Sequence, residues 1–244
     1  MKDNMGISST GSKKKTKRIL VVSDFTVKHF LDDELKGKFG ENGIFLETFY
    51  IQYNVFNEKG LENVKDYDLA ILWLNLSDYS SNISYRIERE DAIFNELILF
   101  YNKFKVGCNI PVIWIGFDSY EEDLSILYGN VVSGSNIKYN LNYRLAHALQ
   151  DRDVMINLEK IISKVGETKA YNLKYKYSWS CIYNKNVFCQ IASEIAKQYK
   201  IMNHNTPKCV ILDCDNVLWG GVLSEEGIEN IKLGNIGVGK IYQD

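Results

Sequence analysis

Six runs of apolar, β-prone residues punctuate the chain, at positions 19–25, 44–51, 69–76, 111–117, 154–158 and 209–212. Several are continuous rather than alternating, the pattern of strands buried on both faces of a parallel sheet. Between them the period changes to that of a helix. Over residues 84–104, Ile87, Phe94, Leu97, Ile98, Tyr101 and Phe104 form one stripe, with Glu88, Arg89, Asn95 and Asn102 off it. Residues 142–150 read as a shorter helix. Over 186–199 the stripe is Val187, Phe188, Ile191, Ile195 and Tyr199. No internal repeat is found. Alternation of strand and helix predicts an α/β domain over residues 18–200, a three-layer doubly wound parallel sheet of flavodoxin-like type. Residues 201–207 end in the polar stretch Asn203-His204-Asn205-Thr206-Pro207 and read as a linker. A second domain is expected over 208–244.

Charge and composition exclude more than they assign. The 244 residues are 45% hydrophobic and 25% charged, with a net charge of −2 and a pI near 6.0. This balance gives no global reason to expect nucleic acid or an anionic membrane as partner. The dense basic run Lys13-Lys14-Lys15-Thr16-Lys17-Arg18 follows a polar leader, so residues 1–17 read as a solvated, disordered tail. Five cysteines (Cys108, Cys181, Cys189, Cys209 and Cys214) include no CxxC pair. Cys189, Cys209 and Cys214 lie among apolar residues, where a reduced thiol acts as a small hydrophobe. With no secretory leader or spanning segment in the sequence, a cytoplasmic protein is expected.

The candidate chemistry lies where residues 209–212 run into Asp213-Cys214-Asp215. A buried strand ending in Asp-x-Asp sets two carboxylates at the carboxyl edge of a parallel sheet, where α/β folds place ligand crevices. Residues i and i+2 lean to the same side, so Asp213 and Asp215 face one pocket and Cys214 points into the core. Two carboxylates that close do not both stay ionised cheaply: a metal lies between them, or one keeps a proton. Either arrangement suits phosphoryl transfer, with one aspartate attacking, the other moving a proton and Mg²⁺ offsetting the anionic crowding. A solvated turn carrying two aspartates is the plainer reading of a bare Asp-x-Asp, and the residues that follow decide against it.

Residues 209–218, Cys-Val-Ile-Leu-Asp-Cys-Asp-Asn-Val-Leu, resemble the first signature of the haloacid dehalogenase-like (HAD) superfamily. Leu218-Trp219-Gly220-Gly221-Val222, then Glu225-Glu226-Gly227, then Ile-Glu-Asn-Ile-Lys-Leu-Gly at 228–234 closely resemble the FkbH-like family, HAD subclass IIIC. In that family DxDNTLWGG is followed by GEDG and a short strand; Val217 stands here where threonine is usual. The resemblance implies Asp213 as nucleophile and Mg²⁺ ligand, and Asp215 as general acid/base and carbonyl ligand to the same ion. It implies a flap at Trp219, Gly220 and Gly221, the glycines freeing the turn and Trp219 anchoring it by packing. It also implies a phosphorylated three-carbon substrate: a glyceryl unit from 1,3-bisphosphoglycerate is dephosphorylated and loaded on an acyl carrier protein for polyketide-type biosynthesis.

FkbH-like proteins usually carry a domain resembling SGNH hydrolases before the HAD unit, and residues 18–200 fit that place. Their motifs fail here. The nucleophile slot of GDS[L] falls on Phe25, after Ser23-Asp24. The Gly-x-Asn-Asp block falls on Asn75-Leu76-Ser77-Asp78, changing both oxyanion-hole positions. No DxxH exists, since none of His29, His147 and His204 has an aspartate three residues before it. Ser23 and Thr26 have no base in sight, so a docking or scaffold module is expected, not an esterase. The later HAD signatures (a Ser/Thr strand end, a lysine-bearing helix and an acidic pair) have no place between Leu218 and Asp244; Lys232 and Lys240 come too early and read as surface residues. An incomplete HAD-type Rossmann-like domain is therefore expected, loosely packed or ordered through a partner, and without phosphatase activity as this chain.

Overall fold

The computed structural model describes residues 15–55, 66–75, 87–107, 110–118, 134–203, 209 and 211–232. The chain divides into two compact units, Met1–Met202 and Asn203–Asp244.

The first unit is an α/β fold around a five-stranded, all-parallel sheet. Its strands are β1 (Lys15–Ser23), β2 (Ile44–Gln52), β3 (Leu69–Trp73), β4 (Val112–Ile115) and β5 (Val154–Ile156), in spatial order β2-β1-β3-β4-β5. The described helices are α1 (Lys28–Gly40), α2 (Ile87–Gly107), α3 (Gly134–Ala148), α4 (Leu158–Val165), α5 (Glu167–Ala170), α6 (Leu173–Trp179) and α7 (Lys185–Asn203). The alternation of side chains along each strand feeds two cores. Ile19 and Val21 of β1, Trp73 of β3 and Ile113 of β4 face a cluster with Leu31, Leu35 and Phe39 of α1 and Val187, Phe188, Ile191 and Ile195 of α7. Leu20 and Val22, Ala70 and Leu72, and Trp114 face the opposite cluster, with Leu97, Phe100, Tyr101 and Phe104 of α2 and Leu141 and Leu145 of α3. Every residue of β3 and β4 is buried, which is why those runs read as continuously apolar. The doubly wound, three-layer sheet expected from the sequence is what forms.

The differences have local causes. β1 begins at Lys15, inside the basic run expected to be a tail; Lys17 forms an ion pair with Asp68, and the Arg18 amide donates to the same carboxylate at 2.9 Å. α7 continues to Asn203, over the start of the expected linker. The run at 154–158 is split, because Asn157 accepts from the Lys160 amide at 2.9 Å and caps α4. Residues 1–14, Ser77, Asp78, Cys108, His204, Lys240 and Asp244 lie outside the described residues.

At the amino edge of the sheet one buried ionic cluster joins β4, β5 and α2. Asp153 accepts from the Val112 amide at 2.8 Å, pairs with Lys105 at 3.1 Å and takes the Tyr101 hydroxyl. No described helix is long and apolar enough to cross a membrane.

In the second unit the described residues of the run expected to be a strand, 209, 211 and 212, have no strand structure. Residues 211–213 have no regular structure, Ile211 is 93% exposed and Leu212 is 40% exposed. Cys209 and Cys214, expected to be buried, are exposed as well. Among the described residues no strand pairs with this run, and an apolar segment without a neighbour has neither ladder bonds nor a face to cover it.

Candidate functional site

Two places gather polar groups, one in each unit: in the first from distant sequence, in the second from one local turn. In the first, the order β2-β1-β3-β4-β5 puts the topological switch point at the carboxyl ends of β1 and β3, where doubly wound sheets bind ligands. Asp24 follows β1 and its carboxylate accepts from the Asn75 amide, just past β3, at 2.7 Å. Phe25 is only 4% exposed; its ring meets Trp73 edge-on at 5.3 Å and Tyr183 at 6.0 Å. Tyr183, buried at the start of α7, stacks on Trp73 at 5.5 Å, and its hydroxyl reaches Asn75 Oδ1 at 3.4 Å. The mouth of the crevice at Phe25 is therefore an aromatic plug. The Ser23 hydroxyl donates to the carbonyl of Phe25, and no described histidine lies in this group. Cys181, beneath it, is fully buried, and burial pushes its thiol up to about 12, so it stays protonated.

Beside the plug lies a buried carboxyl that the sequence did not single out. Asn142 of α3 grips the backbone of Phe117, donating to its oxygen and accepting from its nitrogen, each at 2.7 Å. That bracket fixes Asp118, 2% exposed, whose Oδ2 accepts from the Tyr171 hydroxyl at 3.0 Å while Lys138 stands 3.9 Å away. Burial raises the Asp118 carboxyl above its ordinary value, against the opposing pull of Lys138 and Tyr171. Its native form thus holds a proton more tightly than the unfolded chain does. Stability from this group falls as pH rises from about 3.8, the unfolded value, towards the higher folded value, and is level above that. Asp118→Asn is expected to remove this slope. The stability gap between variant and wild type, followed by urea unfolding from acid to neutral pH, should open across that window; a gap independent of pH would contradict it.

In the second unit, Asp215 organises the turn that follows it. Its Oδ1 accepts from the Trp219 indole N–H at 3.0 Å and from the Leu223 amide at 3.1 Å. Asn216, at φ 56, accepts from the Gly221 amide through its side chain at 3.0 Å; asparagine tolerates this left-handed backbone better than most residues. Gly220 and Lys232 exchange backbone hydrogen bonds of 3.0 and 2.9 Å, closing residues 220–232 into a small flap around the one-turn helix α8 (Leu223–Glu226). Trp219, expected to be a packing anchor, is also bound to the Asp215 carboxylate through its indole N–H. Gly221 sits at φ 108, and a Cβ there would meet Glu226 Oε2 at 2.9 Å. Gly221→Ala is expected to strain the turn by about 1–2 kcal/mol, speeding amide exchange at Gly220 and Lys232 roughly tenfold; unchanged exchange would show that the turn is not held as described.

Asp213 is exposed, and its Oδ1 accepts from the Cys214 amide at 2.7 Å. Among the described residues no three acidic, histidine or cysteine side chains gather in metal-binding geometry. Two carboxylates nonetheless match the donor chemistry of Mg²⁺, which binds through one or two carboxylates and keeps several waters or substrate oxygens.

No protein-family model and no curated protein matches the chain. Solved structures do. The N-terminal part of the protein BF1531 from Bacteroides fragilis, containing a phosphatase domain and complexed with Mg, aligns with a TM-score of 0.69 and 21% identity, over 93% of this chain and 63% of that one. The chain thus spans under two thirds of that structure's length, and the likeness establishes the fold. Weaker alignments are to a GDSL-like lipase from Parabacteroides merdae (TM-score 0.45, 10% identity, 76% of this chain and 97% of that one) and to the protein YXIM from Bacillus subtilis (0.44, 12%, 77% and 56%).

Proposed function

We propose that the chain is the N-terminal part of an FkbH-like HAD phosphatase/glyceryltransferase working in the cytoplasm, in which Asp213 is the nucleophile and Asp215 the general acid/base. The observation that carries this reading is the Asp215 carboxylate, set by Trp219 and the Leu223 amide at the base of a glycine-bearing flap. The DxDN…WGG motif in this sequence supports it, and so does a fold shared with a phosphatase-containing protein fragment that binds Mg. Asp213 attacks the phosphoryl group esterified to the C3 hydroxyl of 1,3-bisphosphoglycerate, forming an aspartyl phosphate as the C3 oxygen leaves, so that the acyl phosphate at C1 is kept. Asp215 moves the proton on and off the leaving and attacking oxygens. Bound Mg²⁺, held by the two carboxylates, would neutralise phosphoryl charge. The thiol of an acyl carrier protein then attacks the acyl carbon at C1, forming the glyceryl thioester and releasing the C1 phosphate. Such a site also uses a phosphate-holding serine or threonine, a lysine and further acidic ligands, none of which the resemblance assigns within these 244 residues, and this chain alone is expected to be inactive. The test is phosphate release from 1,3-bisphosphoglycerate by the uninterrupted gene product, with and without a chelator. Release abolished by chelation and restored by Mg²⁺ is expected; release indifferent to chelation would overturn the reading.

A second reading has its own support: the first unit as a non-catalytic docking module. Phe25 stands in the nucleophile's slot, and the rings of Trp73 and Tyr183 pack against it. The two readings are compatible if the first unit serves the second.

A further inference from the structure

The sheet of the first unit ends differently on its two sides. β5 closes one edge with three residues, leaving little backbone to template another strand. β2 closes the other with nine, where a strand of about five or six is usual. Among the described strands β2 has a neighbour on one side alone, β1, and all nine of its residues are in unbroken register with it. The devices that blunt an edge are missing: Ile44–Gln52 holds no proline, no bulge and one charged residue, Glu47. Leu46 is its one buried residue, and Phe45 is 57% exposed.

We propose that β2 pairs antiparallel with β2 of a second copy of this chain, joining two five-stranded sheets into one. The complement of this edge is the edge itself. A two-fold axis normal to the sheet sets side chains of the same face opposite one another, and centred on Thr48 it pairs all nine residues. Phe45 then lies across from the partner's Ile51, and Thr48 from the partner's Thr48. Aromatic–β-branched and Thr–Thr pairs of this kind stabilise sheets. Glu47 lies across from the partner's Phe49. Arg18 of β1 stands over the Phe49 ring at 4.9 Å and 3.7 Å from Glu47, so the partner's Glu47 meets the same guanidinium. Moving the axis to Glu47 would set two like charges against each other. The contact uses the long edge of both copies, so the assembly closes at two. It goes beyond the phosphoryl chemistry proposed above and does not rest on it.

The experiment is sedimentation equilibrium of the full chain over a dilution series. An edge-to-edge contact is small, so a monomer–dimer equilibrium in the micromolar range is expected. Phe45→Lys should weaken it roughly tenfold, since a lysine then faces the partner's Ile51 on an edge that had no second charge. Phe45 is exposed, and an unchanged circular dichroism spectrum checks that the variant folds. A second variant locates the axis without relying on the first. Thr48→Cys, made with the exposed Cys209 and Cys214 changed to serine, is oxidised mildly and mapped by peptide mass spectrometry. A disulfide joining position 48 of one copy to position 48 of the other is expected. A monomer at every concentration would overturn the proposal. So would a dimer that Phe45→Lys leaves unchanged, or one whose cross-links never include position 48.

Discussion

Asp153→Ala is expected to destabilise the first unit by about 3–5 kcal/mol, the cost of leaving a buried cation without its partner. The Asp153 side chain has no exposed surface and that of Lys105 only 6%. Its two oxygens together satisfy the Val112 amide, the Lys105 ammonium and the Tyr101 hydroxyl. Removing the carboxylate takes the acceptor from the Val112 amide and the Tyr101 hydroxyl and the counter-charge from Lys105, which keeps only the Ile110 carbonyl at 3.0 Å, beside a strand of only three residues, β5. At about 2–4 °C per kcal/mol for a domain of this size, Tm should fall by roughly 10 °C. The double variant Lys105→Met with Asp153→Leu should recover much of the loss, because no unpaired charge remains. Urea unfolding followed by far-ultraviolet circular dichroism checks both; a single-variant loss under about 1 kcal/mol would mean that water reaches the cluster.

Asp213→Asn is expected to lower phosphate release by the uninterrupted gene product at least ~10³-fold, since an amide cannot attack as an anion and its neighbours do not substitute for it. Asp215→Asn provides the informative comparison. An asparagine Oδ1 still accepts from the Trp219 indole and the Leu223 amide, so the flap geometry persists while proton transfer is lost. A fall of roughly 10²–10⁴-fold is expected there, with unchanged amide exchange at Gly220. If Asp215→Asn also loosens the flap, the residue acts through structure rather than through its proton.

The sheet was legible because its central strands are buried on both faces. Ile19–Val22, Leu69–Trp73 and Val112–Ile115 are apolar for that reason, and no other element gives such a run at that length. Helix α1 was less visible: Leu31, Leu35 and Phe39 recur every four residues but stand among lysines and aspartates, a narrow stripe that the period alone does not pick out. The run at 209–212 has strand composition, yet its described residues, 209, 211 and 212, form no strand. Apolar residues state a demand for burial, and the second unit as described does not meet it. Asp213, Asp215 and the flap glycines could be read because they lie within nine residues of one another. Asp118 and Tyr183 could not. They meet across 65 residues of sequence (183 − 118), and only the ends of β4 and the loop into α7, once folded, bring them together. Phe25 occupied the expected nucleophile slot in the sequence; that it plugs the crevice required Trp73 and Tyr183 on either side.

The central claim is that Asp213 takes the phosphoryl group. Rapid quenching of the uninterrupted gene product during turnover with 1,3-bisphosphoglycerate and Mg²⁺, followed by peptide mass mapping, addresses it directly. One phosphoryl increment on Asp213, labile to hydroxylamine and missing from Asp213→Asn, is the predicted result. Turnover with Asp213 unmodified, or with the phosphoryl group on another side chain, would contradict it.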